Sequence, residues 1–262
     1  MAGGVPKSKA VEITERINEL AATRAAAGAI DEWTWHLLKK DIDSLGRLPE
    51  FAAQSLIFEA IVWSLASNIK EMERCFNLYA GRYGKDWSWH RARAMQGPAL
   101  GRTDMVMDML KAGYPIDNAS DLHVVAHVCN QAGLFYSSAL ALKNCLRLNQ
   151  LQADSINLDD FSHLQDTIEY MQDHDLDEDE ISRRISVASQ VVIEMSGPLT
   201  TFSVHTNESG IMFEYTVDDA IDRLVEIDFA ITRKLVSCFE DTMSSHMSIA
   251  VTPPAEDESL AS

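Results

Sequence analysis

Nowhere do the 262 residues gather the roughly 18 uninterrupted apolar side chains that a membrane-spanning helix needs, which excludes that element from the expected fold. Cysteine is scarce and scattered. Cys75, Cys129, Cys145 and Cys238 stand 54, 16 and 93 positions apart, so there is no C-x-x-C pair to carry zinc or redox chemistry. Four dispersed thiols on helical segments point to a reducing compartment. No apolar segment follows Lys7 and Lys9, because Glu12, Glu15, Arg16 and Glu19 arrive at once. A signal peptide is therefore not expected, and a cytoplasmic location is. Basic residues are nearly missing from the second half. Residues 151–262 hold 5 Lys and Arg against 24 Asp and Glu, a net charge of -19, whereas residues 1–150 hold 17 against 16, a net charge of +1. A surface that anionic repels nucleic acid and anionic lipid and attracts a basic protein over long range.

Helical signals dominate the first 150 residues. Ile13, Ile17, Leu20 and Ala21 recur at helical spacing from Ala10 to Ala27, and Gly28 stops the run. Asp31 is placed to cap a second, aromatic-rich helix holding Trp33, Trp35, Leu37, Leu38, Ile42 and Leu45, closed by Gly46. From residue 50 to 150 the pattern predicts three helical hairpins at a period near 33, with Met72, Met105 and Ser138 in equivalent places. Their first helices are expected at 51–66, 87–99 and 121–132, their second at 69–83, 103–112 and 135–149, and the turns at Asn68, Gly101 and Gly133. Units of this size bury their apolar faces by stacking on neighbours.

The run Gly101-Arg102-Thr103-Asp104-Met105-Val106-Met107-Asp108-Met109-Leu110-Lys111-Ala112-Gly113-Tyr114-Pro115-Ile116-Asp117 resembles the second helix and exit turn of tetratricopeptide or pentatricopeptide repeats, and less closely of ankyrin repeats. That resemblance implies an α-solenoid that holds a protein or, in the pentatricopeptide case, RNA. It implies no chemistry.

The acidic half reads differently. Asn157 or Asp159 is placed to cap a helix through Leu164, Ile168 and Met171. In the acidic run 173–180, Leu176, Asp177, Glu180 and Ile181 fit the staple and capping positions of a helix from Glu178 to about Met195. Residues 200–206 and 211–217 alternate as strands do. Phe202, Val204, Ile211, Phe213, Tyr215 and Val217 fall on one face, and Ser203, His205, Met212 and Glu214 on the other. A hairpin loop at Asn207–Gly210, a helix capped by Asp218 and running to about Phe239, and a short strand at Met247–Val251 complete the order. The expected fold is mainly α: an N-terminal α-solenoid of helical hairpins, then a small α+β domain (α-β-β-α-β) with a three-stranded sheet. The boundaries expected are a disordered tail at 1–9, a helical-repeat domain at 10–150, an acidic domain at 151–252 and a second disordered tail at 253–262.

Four groups of residues bear on function. Arg82, Tyr83, Trp87, Arg91 and Arg93 interleave cations with aromatics, a pattern that suits an acidic protein surface or, by stacking on bases, nucleic acid, and equally a solvated repeat face. They are the predicted partner-binding residues. Asp228 sits on the centre line of the apolar stripe Ile221, Leu224, Val225, Ile231 and Leu235, so it needs a partner, with Arg183, Arg184, His205 and His246 as the options. Asp228, Glu214 and His205 are the predicted functional carboxylates and their histidine. His123 and His127 share a helix face, but H-V-V-A-H lacks the glutamate of a zinc hydrolase. Asp175, Asp177 and Asp179 open like a calcium loop, yet Glu180 stands where its glycine belongs. No metal and no cofactor is expected. The expected function is a non-enzymatic adaptor binding a basic protein partner, with no membrane partner and with homo-oligomers left open. The alternatives are an acidic nucleic-acid-mimic inhibitor or immunity protein, and a small hydrolase or nuclease using Asp228 with His205 or Glu214.

Overall fold

The computed structural model describes residues 8–148, 157–199 and 201–254. Most of both expected tails, and the expected domain junction at 150, lie outside those residues, although Ser8 and Lys9 belong to the first helix. The chain divides into two compact units, Met1–Gln96 and Gly97–Ser262. The acidic excess lies within the second unit: the first carries 13 Lys and Arg against 12 Asp and Glu, the second 9 against 28, although residues 97–150 are balanced at 4 against 4.

The first unit is helical: α1 (Lys9–Ala27), α2 (Glu32–Gly46), α3 (Ala52–Leu65), α4 (Ile69–Tyr83) and α5 (Trp87–Gln96). Side-chain oxygens start four of them, that of Asp86 at the head of α5 included. Ser8 accepts from the Val11 amide at 3.4 Å, Asp31 from Trp33 at 3.1 Å and Asn68 from Glu71 at 3.1 Å, each satisfying a donor that the first helical turn leaves open. Gly28, at φ 66°, takes the left-handed conformation that ends α1. The α3 sequence AAQSLIFEAIVWSL is apolar nearly all round, and α3 accordingly packs against α1, α2, α4 and α5. Ile13, Ile17, Leu20, Leu38, Ile42, Leu45 and Val62 form the core between α1, α2 and α3. Trp35 joins it and donates its indole N–H to the Val62 carbonyl at 2.8 Å, while Trp33 stays 73% exposed.

The second unit opens with α6 (Asp104–Ala112), α7 (Ala119–Gln131) and α8 (Phe135–Leu148), then α9 (Leu164–Asp173) and α10 (Glu178–Ser196). A hairpin follows, β1 (Phe202–Asn207) and β2 (Gly210–Thr216), then α11 (Ile221–Cys238) and β3 (Met247–Thr252). The strand order is β1-β2-β3, with β1 antiparallel and β3 parallel to β2. Parallel pairing requires a crossover between the two strands, and α11 is that crossover. Asn207 pairs with Gly210, so the turn proper is Glu208-Ser209, shorter than expected. Helix α11 begins at Ile221 and not after Asp218, whose place as cap is empty: Ala220 holds the cap position without a side-chain bond.

Helix α10 is the axis of this unit. Ser186 and Gln190 donate to the Gly101 carbonyl at 2.8 and 3.2 Å, and Thr103 donates to the Ser182 carbonyl at 3.1 Å. Ser182, Ala188 and Ser189 are buried, the small Ser189 side chain lets the turn at Gly101 approach closely, and the turn at Gly133 comes close to Ile181 and Ile185 because Gly133 has no side chain of its own. The Ser189 hydroxyl also bonds the Tyr215 hydroxyl of the sheet. The expected boundary at residue 150 therefore gives way to one at Gln96, because α10 gathers α6 and the turn before α8 as well as the sheet.

Asp177 caps α10 as expected, accepting from the Glu180 amide at 3.0 Å. The Glu180 carboxylate does not return to the cap. It pairs with Arg183 and, at 2.8 Å, with Arg184, whose guanidinium also donates to the Asp241 carbonyl and lies 4.4 Å from the Phe239 ring.

Candidate functional site

The hairpin places two predicted residues together. Alternation along β1 and β2 puts His205 and Glu214 on the face turned away from Tyr215 and α10, and Ser203 stands opposite Glu214 in register. His205 Nε2 lies 3.7 Å from Glu214 Oε2, beyond hydrogen-bond reach. The glutamate is largely covered and the histidine open to solvent. At that distance the two interact as charges once His205 is protonated, whereas a general base and its partner stand at about 2.6 to 3.2 Å.

Asp228 is elsewhere. Leu224, Ile227 and Ile231 are the buried positions of α11, so the helix is rotated from the expected stripe, and Asp228 sits at the edge of its packed face. None of the four cations proposed as its partner meets it. Its Oδ1 accepts instead from the Val251 amide at 2.9 Å. Val251 is on β3, an edge strand with one row of unpaired amides, so the carboxylate caps the sheet edge. Partial burial raises the Asp228 pKa and the Val251 bond opposes that rise. A group whose folded pKa is raised favours the fold below that pKa and loses the contribution as pH climbs through it. Asp228→Asn keeps the acceptor and removes the charge, and is expected to match or slightly exceed the parent in urea midpoint at pH 7. Asp228→Ala, which strips the amide of its partner, is expected to cost about 1 kcal/mol.

The predicted partner surface of the first unit is split. Arg82 and Tyr83 are exposed, and Trp87 and Arg91 are half-buried. Arg93 is 9% exposed and does not face solvent. Its guanidinium lies 5.4 Å from the Trp89 ring and bonds Glu73 at 3.0 Å. Trp89, in turn, donates its indole N–H to the Phe76 carbonyl at 2.8 Å. Asp86 fixes this corner. It accepts from the Trp89 amide at 3.0 Å, capping α5, and from the Tyr79 hydroxyl at 3.0 Å. Burial, and then that bond, push the Tyr79 pKa up to about 12. Arg93 is thus removed from the contact set because its charge is spent inside the fold, a pairing that spacing alone does not reveal.

Acidic side chains form an exposed run in the second unit. Asp166, Glu169, Asp173, Asp175 and Asp177 stand open along α9 and the turn into α10, and none makes an ion pair among the described residues. No three His, Cys, Asp or Glu side chains converge as a metal site among the described residues. Two features were not anticipated. Tyr170, His174 and His246 stack into a small cluster, with the Tyr170 hydroxyl 3.2 Å from His246 Nδ1; Tyr170 and His174 are neighbours at helical i,i+4 spacing, but His246 lies 72 residues beyond and no periodicity links it to them. The other is an exposed apolar row on α11, concealed by the rotation of that helix.

Comparison of the chain with protein-family models, with curated proteins and with solved structures finds no match.

Proposed function

We propose that this chain is a non-catalytic binding protein whose anionic second unit docks a basic protein. The observation that carries this is the confinement of the acidic excess to one structural unit: 28 acidic against 9 basic residues from Gly97 onward, with the whole excess in residues 151–262, whereas the first unit holds 13 basic and 12 acidic. Solvent-facing carboxylates without cationic partners keep their full field, and such a field speeds encounter with an oppositely charged surface. An enzyme that handles nucleic acid presents the kind of basic surface this field suits, so an inhibitor or immunity role is one form of the same proposal. The helical first unit, with Arg82 and Tyr83 exposed, supplies a further contact surface.

The variant Asp166→Asn, Glu169→Gln, Asp173→Asn, Asp175→Asn tests the proposal. It spares Asp177, which caps α10. Affinity capture from cells that express the chain naturally is expected to retain a stoichiometric basic protein at about 50 mM salt and to release it near 500 mM, where exposed charges are screened beyond a few ångströms. The fourfold variant is expected to lose it at both. Absence of any stoichiometric partner, or full retention by the variant, counts against the proposal.

A further inference from the structure

Helix α11 spans 18 residues, about 27 Å at 1.5 Å per residue. One side packs through Leu224, Ile227 and Ile231. Beside that packed side runs a second apolar row that covers nothing: Ile221 is 63% exposed, Val225 46%, Phe229 62% and Val236 64%. The spacings of 4, 4 and 7, with Thr232 in the gap, put the four on one stripe of the helix. Phe229 alone leaves on the order of 100 Å² of ring open to water. Contiguous apolar patches are uncommon on monomers and mark places where something docks.

Charge decides what docks. Asp222 and Glu226 border the row along its N-terminal half, and Arg233 borders it on the same side in its C-terminal half. A uniformly basic helix suits the first half and is repelled by the second. A helix carrying the same pattern in reverse suits both, and α11 itself is such a helix. We propose that the exposed row of α11 pairs with α11 of a second copy, running antiparallel, to form a homodimer.

In an antiparallel pair, flanks on the same side of the two rows meet. The register that sets Ile221 against Val236 and Val225 against Thr232 brings Glu226 beside Arg233 of the second copy, and the twofold axis repeats that contact. A parallel arrangement carries the flank of the second copy to the opposite side of the seam, so Glu226 and Arg233 lose each other and both ion pairs are forgone. The groups are free to exchange. Glu226 is held at 2.7 Å by Arg223 of its own helix, but both side chains are more than a third exposed, and such pairs contribute little. Arg233 makes no ion pair among the described residues. Each copy carries a net charge of -18, and that repulsion acts over a Debye length of about 30 Å at 0.01 M salt and about 8 Å at 0.15 M. Salt therefore strengthens the dimer. Binding of a basic protein weakens with salt, so the two events separate in one titration, and neither depends on the other.

Sedimentation velocity of the full chain, up to about 100 µM and at about 20 and 300 mM salt, tests the dimer. The parent is expected to dimerise at the higher salt and to dissociate at the lower. Phe229→Glu changes an exposed position, so its circular dichroism should match the parent, while dimer affinity falls about a hundredfold. Glu226→Arg and Arg233→Glu each weaken the dimer about tenfold, and the two together restore it to within about threefold of the parent. A chain that stays monomeric at the highest concentration in 300 mM salt overturns the proposal. So does a dimer indifferent to Phe229→Glu, or a double variant as weak as either single one.

Discussion

Gly133→Val is expected to lower the stability of the second unit by about 3 to 5 kcal/mol, most of the 5 to 15 kcal/mol typical of a folded domain. Two separate costs meet at this residue. Gly133 holds φ at 74°, where a β-branched side chain costs about 1 to 3 kcal/mol in strain. A Cβ there would also lie 2.2 Å from Ile185 Cδ1 and 3.2 Å from Ile181 Cγ2 on α10. Both isoleucines are fully buried, so neither moves without repacking the core, which adds about 1 to 3 kcal/mol. Shaving the obstacle separates the two costs. Ile185→Val deletes Cδ1 and by itself costs about 1 kcal/mol, yet it should partly rescue Gly133→Ala, giving a negative coupling energy in a double-mutant cycle. Strictly additive losses would mean that the turn does not pack on α10 as described. The readout is selective. All five tryptophans, from Trp33 to Trp89, belong to the first unit, so their emission follows that unit alone, whereas far-ultraviolet circular dichroism follows both.

Acid is the second large lever, and His163 is its handle. The ring is largely buried, set edge-on to Phe135 at 5.9 Å, and its Nε2 stands 2.8 Å from Asn130 Oδ1, to which it donates. Asn130 is itself buried and donates to the Asp160 carbonyl, so it has no freedom to turn and offer a different group. Burial, and then the nearby His205, hold the His163 pKa down to about 4, from an ordinary value of 6.5. The unfolded chain thus takes up this proton near pH 6.5 and the folded chain only near 4. Stability from this residue is complete above pH 6.5 and drains away as pH falls toward 4, by about 3 kcal/mol at 1.36 kcal/mol per unit. Other groups titrate over the same range, and relief of the anionic repulsion acts in the opposite sense, so the measurement is a difference. His163→Gln keeps a donor for Asn130 and cannot be protonated. Between pH 7.5 and 4.5 the variant is expected to lose about 2 to 3 kcal/mol less than the parent in urea unfolding. Parallel losses would assign the acid sensitivity elsewhere.

Which features were legible in advance follows from the range of the forces involved. Helices α1 to α10 announce themselves through neighbours in sequence: Asp31 and Asp177 cap within three residues, and Gly28 stops a helix where it stands, whereas Ser8, which caps α1, falls in the stretch expected to be a tail. The two faces of the hairpin follow from alternation, and with them the proximity of His205 and Glu214. Charge asymmetry needs only counting. Partners across space are another matter. Nothing near Arg93 in sequence indicates that Glu73 and Trp89 enclose it, nor does the neighbourhood of Asp228 indicate the Val251 amide.

The sequence by itself determined the element order, the mainly helical class, the three strands and the concentration of negative charge, because each depends on local backbone preference, short-period patterning or composition. Only the tertiary structure decided where the units divide, which way α11 is turned and which charges remain available. Those outcomes rest on small buried serines and glycines of α10 and its facing turns, on a helix rotation of a few tens of degrees, and on ion pairs closed between distant residues. Packing selects among such alternatives through contacts that a linear pattern does not encode.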